Sequence, residues 1–289
     1  MRSIPEEALD ETDGVSAPFI RIPGDSASSL ILLCDHASNR VPEEFGDLGL
    51  PRAELSRHIA YDPGAAAVTR RLAARIGAPA VMSTFSRLVI DPNRGEDDPT
   101  LVMRLSDGAL VPGNVHVDGR EKRHRIARFH QPYHAAIAAE IDDRLARGIV
   151  PALISIHSFT PVWRGRARPW HIGLLWDCDR RLVAPMIAAL AADPALNVGD
   201  NEPYTGALHG DTLYRHGTRR GLAHALIELR QDLIADDEGA AAWAARLATI
   251  LTDLNRREDI HEIRRHRSRT GPVDCIDGQN IAEKGGDRP

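Results

Sequence analysis

Short runs of consecutive apolar residues alternate along this chain with longer segments in which apolar residues recur every three or four positions. The segments Leu30–Cys34, Ala152–Ile156 and His224–Glu228 contain the short, mostly apolar runs that are typical of strands buried on both faces of a sheet. Ala65–Ile76 and the segment from about Glu238 to Asn255 have the spacing of amphipathic helices. Strands that alternate with helices predict an α/β sheet with one core.

The same reading supplies the other elements and a division of the chain. Further strands are predicted at Ala80–Ser83, Arg87–Ile90 and His171–Trp176, and further helices at Gly119–Arg147 and Arg180–Ala192. Residues 96–117 are rich in Gly, Pro and Asp without periodicity, and such a long loop often covers an active site. We expect a flexible segment over 1–17, one domain over 18–263 and a polar tail over 264–289.

Three of these segments carry polar residues that could perform chemistry. His36 and His157 follow the first two runs, and Glu228 lies within the third. The carboxyl ends of strands in α/β sheets are where ligands and chemistry collect. Two imidazoles and a carboxylate at such an edge are the parts of a catalytic zinc site. The alternative is that each is a satisfied polar residue that caps its strand.

Composition restricts the class of protein. A chain of 289 residues with a formal charge of −5 fits one large α/β domain, and it has no basic excess for nucleic acid. No apolar stretch approaches the ~20 residues that span a bilayer, and the acidic N-terminus lacks the apolar region of a signal peptide. Three widely spaced cysteines, Cys34, Cys178 and Cys275, favour a reducing cytoplasm over a disulfide framework. Cys34 is predicted to be a small core residue. We therefore expect a cytoplasmic protein that binds neither nucleic acid nor membrane.

One segment contains two arginines that suit amide hydrolysis. Arg87 and Arg94 lie in the stretch Ser86–Arg94, too far apart to share one role. A cation can stabilise the oxyanion that forms on a hydrolysed carbonyl. A guanidinium is the best side-chain group for holding a substrate carboxylate, because it donates two parallel hydrogen bonds to it. The two arginines suit these two tasks, while Glu228 is the candidate base.

Several segments together resemble the N-formylglutamate amidohydrolases, over roughly Leu30 to Asp232. The most specific is the Ser-Arg-x-x-x-Asp-x-Asn-Arg pattern, and the matching segments are Asp35–Ser38, Ser86–Arg94, Gln131–His134, Ile156–Phe159, Tyr214–Gly217 and His224–Glu228. More distantly, the order of these residues is similar to that of the zinc carboxypeptidase and aspartoacylase fold. That likeness implies a three-layer α/β/α sandwich around a mixed, mostly parallel sheet.

The resemblance implies roles for individual residues around one Zn²⁺ per chain. His36 and His157 would bind the metal, Glu228 would be the general base, and Arg87 would face the developing oxyanion. Asn93 and Arg94 would hold a substrate carboxylate. His134 and Arg215 would also contact substrate, although a core role for His134 is an equal alternative. The implied metal is zinc, but manganese or iron(II) would accept similar ligands.

The third metal ligand departs from the carboxypeptidase-like pattern. That pattern has a glutamate three residues after the first histidine, where this chain has Asn39, and a neutral amide is a poor zinc ligand. We predict Asp62 instead, which resembles an aspartate of the formylglutamate family. The alternative for Asp62 is an N-cap of the helix that begins near Gly64. His130 and His134, four residues apart on a helix, are a weaker metal pair because no zincin signature accompanies them.

The expected function is zinc-dependent hydrolysis of the amide bond of an N-formyl, or small N-acyl, acidic amino acid such as N-formylglutamate. Two alternatives stay open. One is a metallocarboxypeptidase or another deacylase of the same fold. The other is a non-catalytic binding protein, which Asn39 keeps under consideration. A serine hydrolase is disfavoured because the chain has no Gly-x-Ser-x-Gly elbow.

Overall fold

A computed structural model of the chain describes residues 17–274. The predictions for residues 1–16, for Cys275 and for the rest of the C-terminal tail lie outside the described residues. The strands are β1 Phe19–Ile22, β2 Leu30–Cys34, β3 Ala80–Ser83, β4 Leu105–Ser106, β5 Ala109–Leu110, β6 Ala152–Phe159, β7 Val162–Trp163, β8 Arg166–Ala167, β9 Ile172–Leu175, β10 Val198–Asp200 and β11 His224–Arg230. The helices are α1 Arg52–Leu55, α2 Ala65–Ile76, α3 Pro112–Val115, α4 Gly119–Arg125, α5 Gln131–Ala146, α6 Val183–Ala191, α7 Thr212–His216 and α8 Asp237–Leu254.

The central sheet has seven strands in the order β1-β3-β2-β6-β11-β9-β10. Strands β3, β2, β6 and β11 run parallel to one another, and β10 runs parallel to β9. Strand β1 is antiparallel to β3, and β9 is antiparallel to β11. The mixed, mostly parallel sheet is therefore as predicted. Since β2, β6 and β11 point the same way, their carboxyl ends meet at one edge, where ligands collect in such sheets.

Successive residues of each strand point to opposite layers of helices. Leu30, Leu32 and Cys34 pack on the side of α2, α6 and α8, whereas Ile31 and Leu33 pack against α5 and α7. This alternation explains the uninterrupted apolar runs, because both faces of the strands are covered. The three-layer sandwich is confirmed. Cys34 is fully buried, as predicted for a core residue, and burial raises the pKa of its thiol.

Some element boundaries differ from the predicted ones. Helix α2 spans the predicted residues 65–76, and β11 contains Glu228 as predicted, whereas β6 continues through His157 instead of ending at it. The strand predicted at Arg87–Ile90 is wrong, because this segment is a turn. The Ser86 hydroxyl accepts a bond from the Leu88 N–H at 3.1 Å, and the Ser86 carbonyl accepts one from Val89 at 2.9 Å. These bonds close the turn, and its apolar side chains are buried in a separate cluster.

Two small hairpins replace loops that the sequence left irregular. The β4–β5 hairpin and α3 lie within residues 96–117, and the β7–β8 hairpin lies within 160–168. In the described part of the predicted tail, Arg269 donates from its backbone and side chain to Asp177 at 2.9 and 3.0 Å. No helix within residues 17–274 is both long and apolar enough to cross a bilayer.

Candidate metal centre and active site

His36, Asp62 and His157 meet at the edge of the sheet where β2, β6 and β11 end. One potential ligand atom from each residue lies within 4.8 Å of the others. The two imidazole rings are 4.9 Å apart between centroids. All three side chains are buried, with at most 5% of any residue exposed. The structure thus brings together the three residues that the sequence nominated as metal ligands.

Hydrogen bonds fix Asp62 in this position. Its backbone N–H donates to the His36 carbonyl at 3.0 Å, and its carboxylate accepts from the Ser158 N–H at 3.2 Å. Helix α2 has no side-chain cap, so the alternative N-cap role of Asp62 is not observed. Asn39 donates its side-chain amide to the Leu55 carbonyl at 2.9 Å. The Asn39 side-chain amide therefore bonds to nearby backbone.

Two further carboxylates, those of Asp91 and Asp35, orient the two imidazoles. Nε2 of His36 lies 2.7 Å from Asp91, and Nε2 of His157 lies 2.9 Å from Asp35. Both Nδ1 atoms face the Asp62 carboxylate, at 3.3 and 2.9 Å. A carboxylate behind each ring favours a proton on Nε2, so Nδ1 could bind a cation in place of its own proton, as in metal-binding histidines generally. Sequence reasoning did not assign Asp35 or Asp91, although both lie inside the motifs that carry the family resemblance.

The Asp35 carboxylate accepts hydrogen bonds from four different residues. Besides His157, it accepts hydroxyl bonds from Tyr133 at 2.9 Å, Thr212 at 2.7 Å and Ser155 at 2.9 Å. Burial opposes its ionisation, but the His157 bond and the other donors prevail and lower the pKa of Asp35 to about 2. Burial likewise opposes protonation of His157, yet bonds to Asp35 and Asp62 raise its pKa well above the ordinary value. Asp35 therefore links β2, β6, α5 and α7 behind the centre.

Glu228 lies beside the three clustered residues. In the parallel pairing of β11 with β6 its partner is His157, so both side chains point to the same side of the sheet. Burial raises the pKa of Glu228 to about 7, against the lowering effect of His157. Within residues 17–274, no group is hydrogen-bonded to its Oε2 atom. A carboxylate with a pKa near neutrality and a free oxygen is suited to exchange protons with a substrate.

Arg87 is anchored by carboxylates on one side. Its Nε and Nη2 atoms donate to Asp91 at 3.2 and 2.7 Å, and Nη1 lies 3.5 Å from Asp62. Burial disfavours the charge, but these two carboxylates raise the pKa of Arg87. Its guanidinium is thus a fixed cation next to the three clustered residues.

Asn93 and Arg94 follow in the same turn. The Asn93 side-chain oxygen accepts from the Thr212 N–H at 3.2 Å. Arg94 donates through Nη1 to the Asn93 carbonyl at 2.8 Å and through Nε to Thr100 at 3.3 Å. These bonds orient an amide and a guanidinium toward the cavity that both residues line.

The cavity above the centre has a volume of about 510 Å³, within the roughly 300–1,000 Å³ of small-molecule sites. Its wall combines the residues of the centre with apolar side chains and with neutral polar ones. The lining residues are His36, His58, Ile59, Asp62, Arg87, Asn93, Arg94, Met103, Ser106, His157, Ser158, Phe159, Thr160, Trp163, Leu175, Tyr204, Thr205, Ala207, Leu208, Asp211, Leu226, Glu228 and Gln231.

His134 and Arg215 do not line this cavity. His134 is 4% exposed, and its Nε2 donates to the Pro92 carbonyl at 3.0 Å while Nδ1 lies 3.0 Å from Nε2 of His216. Arg215 is a half-buried residue of α7. Substrate contact by either residue stays a prediction without support from the cavity geometry. The alternative core role describes the contacts of His134.

Asp211 lines the cavity but was not recognised in the sequence. Its carboxylate accepts the Tyr214 N–H at 2.6 Å and so caps α7. Burial raises its pKa to about 7. An aspartate just before a short helix is usually a cap, and no sequence signal reveals that this one also faces a ligand cavity.

The residues present fit a divalent metal ion. Two imidazole nitrogens and a carboxylate oxygen converge, and three protein ligands of these types are the donor set of catalytic metal sites. Carboxylates behind both imidazoles complete the arrangement. The site can therefore support metal-assisted hydrolysis.

The known proteins to which this chain is similar are named for the hydrolysis of N-formylglutamate. The family description N-formylglutamate amidohydrolase matches residues 28–235. The N-formylglutamate deformylase of Pseudomonas aeruginosa is 30% identical over 197 residues, which are 61% of this chain and 71% of that protein.

Two solved structures share the architecture. A gene product of Agrobacterium tumefaciens is 36% identical with a TM-score of 0.80, and the match covers 85% of this chain and 97% of the Agrobacterium chain. An N-formylglutamate amidohydrolase from Ralstonia eutropha has a TM-score of 0.64 at 22% identity, covering 83% and 97%, and this likeness concerns the fold alone. On the strength of the match over residues 28–235, the chain belongs to the N-formylglutamate amidohydrolase family.

Proposed function

We propose that this protein hydrolyses the amide bond of an N-formyl, or small N-acyl, amino acid in a metal-dependent reaction, with N-formylglutamate as the reference substrate. The observation that carries the proposal is the buried cluster of His36, Asp62 and His157 beside Glu228, whose Oε2 has no partner among the described residues. A base with one oxygen free, next to converging metal ligands, is what water activation requires.

His36, Asp62 and His157 would hold the metal, for which zinc is our proposal. When bound, such an ion lowers the pKa of water and polarises a carbonyl. Glu228 accepts a proton from the attacking water at Oε2, and the water oxygen forms a bond to the carbonyl carbon. Glu228 then returns the proton to the amide nitrogen as the carbon–nitrogen bond breaks. The products are formate, or another small carboxylate, and the free amino acid.

The arginines supply the remaining interactions. Arg87, fixed by Asp91, presents a permanent cation where the carbonyl oxygen acquires negative charge. Arg94 and Asn93 hold the substrate carboxylate, because a guanidinium and an amide together can donate several bonds to it. Asp35 and Asp91 act through the imidazoles and Arg87, and they set the orientation of the groups that touch substrate.

The test uses the full chain loaded with Zn²⁺ and N-formylglutamate, with amine release as the readout. We expect about one metal per chain, loss of activity on removal of the metal by a chelator, and its recovery on adding Zn²⁺. Glu228→Gln should retain the metal and lose on the order of 10²–10⁴-fold in turnover. A Glu228→Gln protein with near-normal turnover contradicts the assigned base.

The same assay separates the alternatives. Cleavage restricted to peptides with a free carboxyl end would identify a carboxypeptidase, and absence of metal after careful loading would identify a binding protein. Zinc as the native metal, a place in amino-acid catabolism and a cytoplasmic location are parts of the same proposal.

A further inference from the structure

The reference substrate of the proposed reaction, N-formylglutamate, carries two carboxylates, and Arg94 can pair with one of them. Arg94 donates to a carbonyl and to a hydroxyl, and no carboxylate within residues 17–274 forms a salt bridge with it. Arg87, the other guanidinium of the lining, is held by Asp91 at 2.7 Å. A desolvated carboxylate without donors is costly. The second carboxylate of such a substrate therefore needs further hydrogen-bond donors in the cavity wall.

Hydroxyl groups of the lining are the candidate donors. The amide of Gln231 and the hydroxyl of Ser158 are occupied, because Gln231 donates to Ser158 at 3.2 Å and Ser158 donates to a backbone carbonyl at 2.8 Å. Within the described part of the chain, the lining hydroxyls that donate to no protein group are those of Ser106, Thr160, Tyr204 and Thr205. Two of them, Thr160 and Tyr204, accept hydrogen bonds from the same cation, Arg168.

Arg168 directly follows β8, and three aromatic rings surround its guanidinium. The group lies 5.7 Å from the ring centroid of Phe159, 5.3 Å from that of Trp163 and 5.0 Å from that of Tyr204. All three rings line the cavity. Their faces attract a cation but carry no net charge, and none of the carboxylates that the structure describes forms a salt bridge with Arg168. A full positive charge therefore lies directly behind the cavity wall.

This cation fixes the direction of two hydroxyl groups at the cavity surface. Nη1 of Arg168 donates to the Tyr204 hydroxyl at 3.0 Å and to the Thr160 hydroxyl at 3.4 Å. Because a guanidinium can only donate, each hydroxyl oxygen accepts on that side and keeps its own hydrogen for another partner. Tyr204 and Thr160 thus offer an anion two O–H donors that a positive charge polarises.

A closed loop holds Tyr204 in this position. The Asn201 side-chain oxygen accepts from the Gly206 N–H and from the Trp176 N–H, both at 3.0 Å, so the two ends of the loop are tied together and to the residue that follows β9. Burial raises the pKa of the Tyr204 hydroxyl, although the charge of Arg168 opposes this change. The hydroxyl therefore stays protonated near neutral pH and can meet an anion only as a donor.

We propose that Tyr204 and Thr160 bind the side-chain carboxylate of the substrate, and that Arg168 positions and polarises their hydroxyls. Arg94 then holds the α-carboxylate, because it lies in the same segment as Arg87 and the α-carboxylate is attached to the carbon next to the scissile nitrogen. This inference rests on the proposed amide hydrolysis and names the residues that select a dicarboxylic substrate. Arg168 acts through the two hydroxyls and is a positioning residue.

The experiment compares N-formylglutamate with N-formylglutamine on the Zn²⁺-loaded full chain, since the glutamine derivative replaces the side-chain carboxylate by a neutral amide of the same shape. We expect kcat/KM for the glutamate derivative to be higher by about 10–100-fold, because hydrogen bonds to a charged group are stronger than those to a neutral one. Tyr204→Phe should remove most of this preference by lowering the glutamate value. The value for N-formylglutamine should stay within about fivefold of the parent's.

Variants of Arg168 test the positioning role. Arg168→Gln removes the charge behind the hydroxyls and should reduce the preference for N-formylglutamate, with partial recovery in Arg168→Lys, which restores a cation without the guanidinium geometry. Arg166→Gln is the matched control, since Arg166 is an exposed residue of the same hairpin and does not line the cavity. It should retain the parent's preference. Equal losses for both substrates in Arg168→Gln would reveal a merely structural role and overturn the assignment.

Binding measurements separate the inference from the function on which it rests. Calorimetry on Glu228→Gln, with and without Tyr204→Phe, compares the two derivatives in the absence of turnover. If the parent protein cleaves both equally, or if Tyr204→Phe keeps the parent's preference, the assigned carboxylate site is wrong and the amidohydrolase proposal stands. If neither derivative is cleaved but N-formylglutamate binds more tightly in a manner that depends on Tyr204, hydrolysis is wrong and the carboxylate site stands. If neither derivative is cleaved or bound, both proposals are wrong.

Discussion

Replacing Asp35 by asparagine tests how the centre is organised, because the change preserves shape and removes one charge. One oxygen of Asp35 accepts the hydroxyls of Tyr133 and Thr212, and the other accepts Ser155 and Nε2 of His157. An asparagine can keep its oxygen toward the first pair. Its NH₂ group then faces the second pair, and the Ser155 hydroxyl can rotate to accept.

In this orientation the Nε2–H of His157 faces another donor, and it competes with the new amide for the Ser155 hydroxyl, 3.1 Å away. To accept a bond from the new amide, Nε2 must lose its proton, and a neutral ring then has its proton on Nδ1. That atom faces Asp62 at 2.9 Å and is the proposed metal ligand. Changes behind metal-binding histidines typically cost about 10–100-fold in affinity, which corresponds to about 1.4–2.7 kcal/mol. We expect Asp35→Asn to weaken Zn²⁺ binding by this factor and to lower turnover at limiting metal.

The assay is a competition titration with a chromogenic chelator, with circular dichroism to verify the fold. Asp179→Asn is the matched control, since Asp179 is also buried and pairs with Arg181 at 2.7 Å away from the centre. That variant should lose stability without a change in metal affinity. An Asp35→Asn protein that binds Zn²⁺ as tightly as the parent would refute the tautomer argument.

Three further predictions follow from the cavity and its support. Arg94→Ala should raise KM by about 10–100-fold, because a charged hydrogen bond contributes about 1.5–3 kcal/mol; the parent's preference for N-formyl amino acids over their carboxamides should disappear, and an unchanged preference would argue against Arg94. His134→Leu removes the donor to the Pro92 carbonyl and should raise KM more than it lowers kcat, with partial recovery in His134→Gln; equal kinetics of the two variants would contradict a positioning role. Burial raises the pKa of Asp211 from 3.8 to about 7, so ionisation of this group destabilises the parent fold as the pH rises through that range. Asp211→Asn should therefore gain stability relative to the parent between pH 3.8 and about 7. Thermal melts of both proteins at pH 4 and pH 8 check this, and a constant difference in melting temperature would contradict it.

The sheet and its flanking helices followed from the sequence because burial on two faces leaves a distinctive pattern. Helix α2 repeats its apolar residues over three turns and was located from residue 65 to residue 76. The failure at Arg87–Ile90 has a physical cause. Three apolar residues in succession indicate burial, but the turn is decided by bonds to Ser86, and a short apolar run cannot distinguish the two.

The parts of the candidate site that can be predicted from the sequence are single residues whose side chains carry the chemistry themselves. Histidines at strand ends are visible in a sequence, and the family resemblance indicates Asp62 as the third candidate ligand because the neutral amide of Asn39 is a poor one. The roles of Asp35 and Asp91 depend on which ring nitrogen each carboxylate meets, and that depends on the relative placement of three separate segments. The apolar lining was equally hidden, since Leu175, Tyr204 and Leu226 come from distant parts of the chain.

Between α4 and α5 the helix passes through a π turn at Ile126–His130. Arg125, the residue before it, donates to the Val89 carbonyl at 2.9 Å. His130, its last residue, donates to the Arg94 carbonyl at 2.9 Å. Such a turn corresponds to one inserted residue in an otherwise regular helix. Without it, the two halves would differ in phase by about 100°, and only one of these two donors could face the segment that carries Arg87 and Arg94. A single extra amino acid thus lets one continuous helix hydrogen-bond to both ends of that segment.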